Sequence, residues 1–269
     1  MKIAVTGAEG NLGKELVKRG CTPITVDITN AELIRNEIEH VNPDVLIHCA
    51  ALTNVAYCED HFRESFEVNV RGTGNVVGFM PKDSLFVYIS SDHVFSGNNW
   101  FNSGYGEHQT PSPVNRYGFS KWGGELMART GACASIVVRS SRCFDYSWAK
   151  PTIDQLNNGE SIVFTDLIKR SFVHTQHFVD GLMYLVGKWE DIDEDTIHIS
   201  GDSVFSYYHF WLIVKRILDL PGEIIPRKEK LMNEAPRPFR AGLEVRLAKK
   251  LKIPIYGITD GIKLLKEGI

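Results

Sequence analysis

Tyr117 and Lys121 stand four residues apart in Tyr117-Gly118-Phe119-Ser120-Lys121. On a helix that spacing puts both side chains on one face. A phenol with an ordinary pKa of about 10 is a poor acid–base group at neutral pH. An ammonium held beside it, together with the positive nicotinamide ring of an oxidised cofactor, favours the phenolate and draws the tyrosine toward a working range. Ser91, in Ser90-Ser91-Asp92, adds a hydroxyl able to hold a substrate oxygen near that tyrosine. A second set of residues suits a ligand rather than a reaction. Gly7, Gly10 and Gly13 recur every three positions in Gly7-Ala8-Glu9-Gly10-Asn11-Leu12-Gly13. After a strand and before a helix, one glycine permits a sharp turn, the next lets backbone approach a pyrophosphate, and the third lets helix and strand pack closely. The helix N-terminus then offers free N–H groups to the phosphates. Together the two sets point to hydride chemistry on a bound dinucleotide.

The elements that must position these residues alternate. Residues 3–6, 24–27, 45–48, 85–90 and 136–139 are short apolar runs that read as strands. Residues 12–19, 31–40 and 61–79, and a stretch starting near Asn115, read as helices between them. Continuously apolar strands alternating with helices indicate an α/β fold, a Rossmann-type doubly wound parallel sheet covered on both faces. The serine pair closes the run 85–90, where such a sheet presents its ligand-binding edge. A turn-rich stretch covers residues 96–113. Beyond Phe144 the pattern is mixed, with helices expected over 176–189 and 207–218 and strands over 162–165 and 197–200. The expected organisation is a dinucleotide-binding unit at 1–144 and a smaller substrate-binding lobe at 145–269 that partly returns to the sheet.

Composition limits the alternatives. In 269 residues, 43% are hydrophobic and 23% charged, which argues against disorder, and a net charge of −3 recruits neither nucleic acid nor an anionic membrane. No apolar run approaches the roughly 20 residues that cross a bilayer. Cys21, Cys49, Cys58, Cys133 and Cys143 are scattered without a Cys-x-x-Cys pair, so reduced thiols and a cytoplasmic location are expected. His174 and His177 have metal-like spacing but no third ligand nearby, and no metal is expected.

Longer motifs carry a resemblance. Residues 43–55 read Pro-Asp-Val-Leu-Ile-His-Cys-Ala-Ala-Leu-Thr-Asn-Val. Residues 90–97 read Ser-Ser-Asp-His-Val-Phe-Ser-Gly. Residues 105–121 contain Tyr105-x-Glu107, Pro111-x-Pro113-x-Asn115-x-Tyr117-Gly118 and Ser120-Lys121. With Val68-Asn69-Val70-x-Gly72-Thr73-x-Asn75 and Ala235-Pro236-Arg237-Pro238, these stretches resemble the extended short-chain dehydrogenase/reductase superfamily, and within it the dTDP-4-dehydrorhamnose reductase family. The resemblance implies reduction of the 4-keto group of a nucleotide-diphospho-6-deoxyhexose by NADP(H) or NAD(H). It implies Ser91, Tyr117 and Lys121 as the catalytic set. Gly7, Gly10, Asn11, Leu12, Gly13, Asp27, Ile28, Cys49, Ala50 and Ala51 would hold the cofactor together with Tyr117 and Lys121. Asp92, His93, Val94, Arg142 and Arg237 would join Ser91 around the substrate.

Three departures stand out. His93 occupies the family's usual tyrosine position. Arg142 replaces a tryptophan in a segment similar to R-T-S-W-x-[FY]-G, which also loses its glycine at Asp145. The stretch from Gly13 to Asp27 is shorter than usual. Arg142 is expected either to meet a phosphate or other polar group of the substrate or to pair with Asp145 or Asp166. Asp27, 20 residues after Gly7 and expected to end the second strand, suits the adenosine 2′-hydroxyl of NAD. It also sits in an Asp27-Ile28-Thr29 motif that the family places near adenine, and both cofactors stay open. Two alternatives accompany the reductase. One is a sugar-nucleotide epimerase or dehydratase, weakened because Asp92-His93 lacks the dehydratases' Asp-Glu pair. The other is a non-catalytic NADP-binding subunit like the regulatory β-subunit of methionine adenosyltransferase. A homodimer is the expected assembly.

Overall fold

The structure is a computed structural model that describes residues 1–98, 104–230 and 235–268, so part of the turn-rich stretch, residues 99–103, lies outside the described residues. In chain order the first half forms β1 (Ile3–Thr6), α1 (Asn11–Lys18), β2 (Thr22–Ile24), α2 (Ala31–Val41), β3 (Val45–His48), α3 (Val55–Asp60), α4 (Phe62–Phe66), α5 (Thr73–Gly78), β4 (Leu85–Ser91), α6 (Arg116–Ala128) and β5 (Ala134–Ser140). The second half forms β6 (Arg142–Phe144), α7 (Tyr146–Asn157), β7 (Ser161–Thr165), β8 (Lys169–His174), α8 (Thr175–Val186), β9 (Thr196–His198), β10 (Val204–Ser206), α9 (Tyr207–Leu218), β11 (Glu223–Arg227), α10 (Arg246–Lys250) and α11 (Ile258–Leu265).

Six parallel strands lie in the order β2-β1-β3-β4-β5-β9. Their continuous apolar runs pack on both faces. Val5, Ile47, Val87 and Val138 meet Leu16 of α1, Leu182 of α8 and Ala248 of α10. Ala4, Leu46, Phe86 and Val137 meet Ile34 and Ile38 of α2, Val76 of α5 and Ala128 of α6. Residues beyond 145 therefore serve two bodies. α8, β9 and α10 complete the sheet layer, whereas α7, α9 and α11 enclose a separate core around Phe144, Phe172, Phe210 and Trp211. The β10-β8-β6 sheet and the β11-β7 pair flank that lobe.

Two expectations need correction. The second strand ends at Ile24, ahead of Asp27, because Asp27 bends the chain by accepting Thr29 N–H and Oγ1–H at 2.9 and 2.8 Å. The helix expected over 61–79 is interrupted by a π-helical segment, Glu67–Gly72. There the Thr73 hydroxyl bonds back to the Asn69 carbonyl at 2.8 Å, a side-chain competitor to the regular ladder. The break turns Asn69 inward, where its amide holds Leu52 N–H and C=O at 2.8 and 3.0 Å and Ser120 Oγ at 2.9 Å. The loop after β3 is thereby tied to α6.

A buried ion pair seats α6 on the sheet. Arg139 of β5 grips Glu125 with Nε on Oε1 at 2.8 Å and Nη2 on Oε2 at 2.7 Å, and Ser90 donates to Oε1 at 2.6 Å. Both charged side chains are almost fully buried, at 4% and 2% exposure. Removing one partner of such a pair strands the other charge. Arg139→Leu should lose about 3–5 kcal/mol in urea denaturation, and Arg139→Leu/Glu125→Leu should recover most of it. Equal losses in the single and double variants would contradict this account.

Candidate active site

The glycine loop behaves as its spacing requires. Gly7 has φ +70°, and a Cβ there would strike Ala50 N at 2.6 Å. A Cβ on Gly13 would strike the Gly7 carbonyl at 2.2 Å, so helix and strand touch backbone to backbone. Gly10 differs: its Cβ would meet only Gly7 O, at 3.4 Å, and the protein's own packing leaves it room. Gly10 is also the N-cap of α1 and supplies no side-chain acceptor to the first turn. A bare, uncapped helix start beside an open glycine fits a dinucleotide's pyrophosphate, with Asn11, Leu12 and Gly13 following it along the helix. Asn11 also reaches the second half of the chain, with Nδ2 at 3.4 Å from Ser147 Oγ.

Cys49, Ala50 and Ala51 leave the carboxyl end of β3 beside this loop. A directed chain of bonds sets their path. Ala50 N–H bonds Thr6 Oγ1 at 3.4 Å, Thr6 Oγ1 lies 2.7 Å from His48 Nδ1, and His48 Nε2 lies 3.1 Å from Thr73 Oγ1. Burial and the nearby Lys121 hold His48 down to about 3, so the ring stays neutral and links β1, β3 and α5. At the adenosine end, Asp27 is exposed, while the Ile28 side chain is buried against Gly72 and its carbonyl binds Asn75 Nδ2 at 2.9 Å. Ile28 can therefore face a cofactor only with backbone.

Ser91, Tyr117, His93, Arg142 and Arg237 line one cleft of about 950 Å³ between the sheet's carboxyl edge and the smaller lobe. Ser91 ends β4 and caps the short helical turn Asp92–Val94, accepting His93 N–H at 3.2 Å. It lines the cleft with Tyr117, near enough to offset part of that phenol's pKa rise. Asn115 caps α6 by accepting Gly118 N–H at 2.7 Å, which starts the helix where Tyr117 meets Ser91. Lys121 follows one turn later, its ammonium 4.2 Å from the centre of the Tyr88 ring.

Burial raises Tyr117 above the usual phenol range, and Ser91 only partly offsets it. Burial brings Lys121 from 10.5 down to about 7, against the pull of Glu125. The protein's own groups thus keep Tyr117 protonated and ready to donate.

Other expected contacts resolve differently. Val94 is fully buried with Phe95, Tyr105 and Leu243, since the turn after Ser91 points it into the core. Asp92 lines the cleft, but its carboxylate accepts Ser91, Ser141 and the buried Arg170, whose Nε lies at 3.2 Å, so it anchors the wall. Arg142 pairs with neither Asp145 nor Asp166. Asp145 caps α7 through Trp148 N–H, and Asp166 holds Ser206 and His209. Arg142 instead sits over Trp148, its guanidinium carbon 4.4 Å from the ring centre, so an indole returns to the wall six residues after the position that lost one. Its Nε and the Nε1 of Trp211, another cleft residue, are buried donors with no hydrogen-bond partner among the described residues. Arg170, Asn115, Trp148 and Trp211 were not singled out as site residues from the sequence. Only Asn115 lay inside a recognisable motif. Among the described residues no group of three or more His, Cys, Asp or Glu is arranged to hold a metal, and no helix is long and apolar enough to cross a membrane.

The lowered Lys121 has a signed consequence. The unfolded lysine titrates near 10.5 and the folded one at about 7, so between these values the unfolded chain binds more protons. This group's penalty on stability is full below pH 7 and fades as pH rises toward 10.5. Lys121→Met should raise Tm at pH 6 by several degrees, with the gain shrinking by pH 10. A gain independent of pH would contradict the burial argument.

A family model described as the RmlD substrate binding domain matches residues 1–264. The chain is 32% identical over 155 residues to a dTDP-4-dehydrorhamnose reductase of Aggregatibacter actinomycetemcomitans, a match spanning 53% of this chain and about half, 52%, of that relative. It is 30% identical over 279 residues to methionine adenosyltransferase 2 subunit beta of Rattus norvegicus, spanning 94% of this chain and 83% of that one. The crystal structure of dTDP-4-dehydrorhamnose reductase from Bacillus anthracis str. Ames in complex with NADP has the same fold, with a TM-score of 0.90, 24% identity and 100% coverage of both chains. With its six-stranded parallel sheet and a family match over nearly its full length, the chain belongs to the RmlD substrate binding domain family, within the extended short-chain dehydrogenases/reductases.

Proposed function

We propose that this protein is an NADPH- or NADH-dependent reductase of the 4-keto group of a nucleotide-diphospho-6-deoxyhexose. The observation that carries the reading is that Ser91 and a buried, protonated Tyr117 line one cleft, at the sheet edge where the glycine loop opens. A reduced nicotinamide supplies the hydride when bound. Ser91 holds the carbonyl oxygen, and Tyr117 Oη–H gives that oxygen its proton as the carbon is reduced. Lys121 lies on the same helix face, where its ammonium favours the phenolate left behind. Gly7, Gly10 and Gly13, with the start of α1, hold the pyrophosphate. Arg142, Trp211 and Arg237 face the substrate side, and the two buried orphan donors among them suit phosphate or sugar oxygens.

A second reading is favoured by the match to a methionine adenosyltransferase β-subunit along 94% of this chain: a cofactor-binding subunit serving a partner enzyme. Turnover separates the two. For the reductase we propose a cytoplasmic location, consistent with five free cysteines, and a homodimeric assembly.

Tyr117→Phe should cut kcat for dTDP-4-dehydrorhamnose reduction by about 10²-fold or more with little change in NADPH affinity. Near-normal turnover would overturn the acid assignment. Gly10→Val should weaken NADPH binding at least about 10-fold in a fluorescence titration while Tm stays close to wild type, because only the ligand needs that space. Unchanged affinity would place the cofactor elsewhere.

A further inference from the structure

Asn115 does more than cap α6. Its Oδ1 accepts Gly118 N–H at 2.7 Å, and its Nδ2 donates to the Pro236 carbonyl at 2.8 Å. These two bonds fix which end of the amide is oxygen and which is nitrogen, since a flip would set oxygen against a carbonyl and nitrogen against an N–H. The second Nδ2–H points at His93 Nδ1, 3.0 Å away. An amide N–H can only donate, so Nδ1 must be an acceptor, and the proton of a neutral ring must sit on Nε2. His93 is 8% exposed, its ring lies edge-on to Tyr117 with centroids 5.3 Å apart, and it lines the cleft. Nε2 has no hydrogen-bond partner among the described residues, and the residue lines the cleft. The backbone holds it there, because a Cβ on Gly118 would strike the His93 carbonyl at 2.1 Å, so helix and turn meet without slack.

We infer that His93 is a substrate-contacting residue, a neutral imidazole whose Nε2–H donates to a sugar oxygen next to the carbon that Tyr117 serves. Burial and the positive charges of Arg170, Arg237 and Arg142 around the ring hold its pKa well below the usual histidine value, which keeps the single-proton form across the physiological range. Where the family's motif has tyrosine, this chain offers a shorter ring whose donor is set by Asn115 rather than by a rotating hydroxyl. The ligand group it selects is an acceptor oxygen, such as a sugar hydroxyl. The assignment of the contacted ligand rests on the reductase reading above.

Nitrogen-15 NMR of the full-length protein at pH 7 should find His93 protonated on Nε2 alone, and Asn115→Asp should move the proton to Nδ1 or add a second one there. Binding of dTDP-rhamnose, measured by calorimetry in the presence of NADP, should weaken about 10-fold in His93→Leu and stay within a few-fold in His93→Gln, whose amide restores a donor. NADP affinity should be unchanged in both. A proton on Nδ1 in the wild type, or wild-type dTDP-rhamnose affinity in a folded His93→Leu, would overturn the proposal. Absence of turnover together with the expected tautomer and the expected binding losses would sink the reductase reading and leave His93 as a sugar-contacting donor. Absence of dTDP-rhamnose binding to the wild type would overturn both.

Discussion

The placement of α6 against β4 and β5 is the constraint on which the site depends, and the Arg139–Glu125 pair with Ser90 sets it. Hydrophobic packing alone tolerates sliding and rotation of a helix on a sheet. A bidentate guanidinium–carboxylate grip inside the core does not, because small shifts leave charges buried and unsatisfied. Glu125 lies four residues after Lys121 and eight after Tyr117, so one helix face carries the clamp, the ammonium and the proton donor in sequence. Ser90, held by the clamp, is the neighbour of Ser91, which meets Tyr117. The same buried contact thus fixes the strand end and the helix that carry Ser91 and Tyr117.

Around that contact, polar groups are arranged to be neutral and directional. His48 and His93 are both kept unprotonated by burial and nearby cations, and both sit in chains whose donor and acceptor ends are set by neighbours. Asn69 and Asn115 do the tying, one to the loop after β3 and one to the turn after β4. Directed networks of this kind rigidify a site. Two buried donors without partners among the described residues, Arg142 Nε and Trp211 Nε1, line the same cleft.

Much of this was readable from residues alone, for physical reasons. The central strands β1, β3, β4 and β5 are buried on both faces and so appear as largely apolar runs, and Gly7 and Gly13 are required by backbone contacts that a side chain would break. Tyr117 and Lys121 were visible because helical spacing converts sequence distance into a shared face. What was hidden depends on contacts between distant segments. Arg170 meets Asp92 across 78 positions, and Asn115 reaches Pro236 across 121, and no local pattern announces either. The end of β2 was misplaced because Val26 continues the apolar run while Asp27 bends the chain with its own side chain. Val94 was misassigned because adjacency to Ser91 says nothing about which way a tight turn points. The burial that raises Tyr117 and lowers Lys121 was not legible in their spacing.

The most direct test of the central claim is isotope transfer. NADPH carrying deuterium at the transferable C4 position of the nicotinamide, mixed with dTDP-4-dehydrorhamnose and the purified protein, should yield a reduced sugar with deuterium at C4 and one cofactor oxidised per sugar. Tight NADPH binding with neither oxidation nor label transfer would contradict the account and make this site a binding site only.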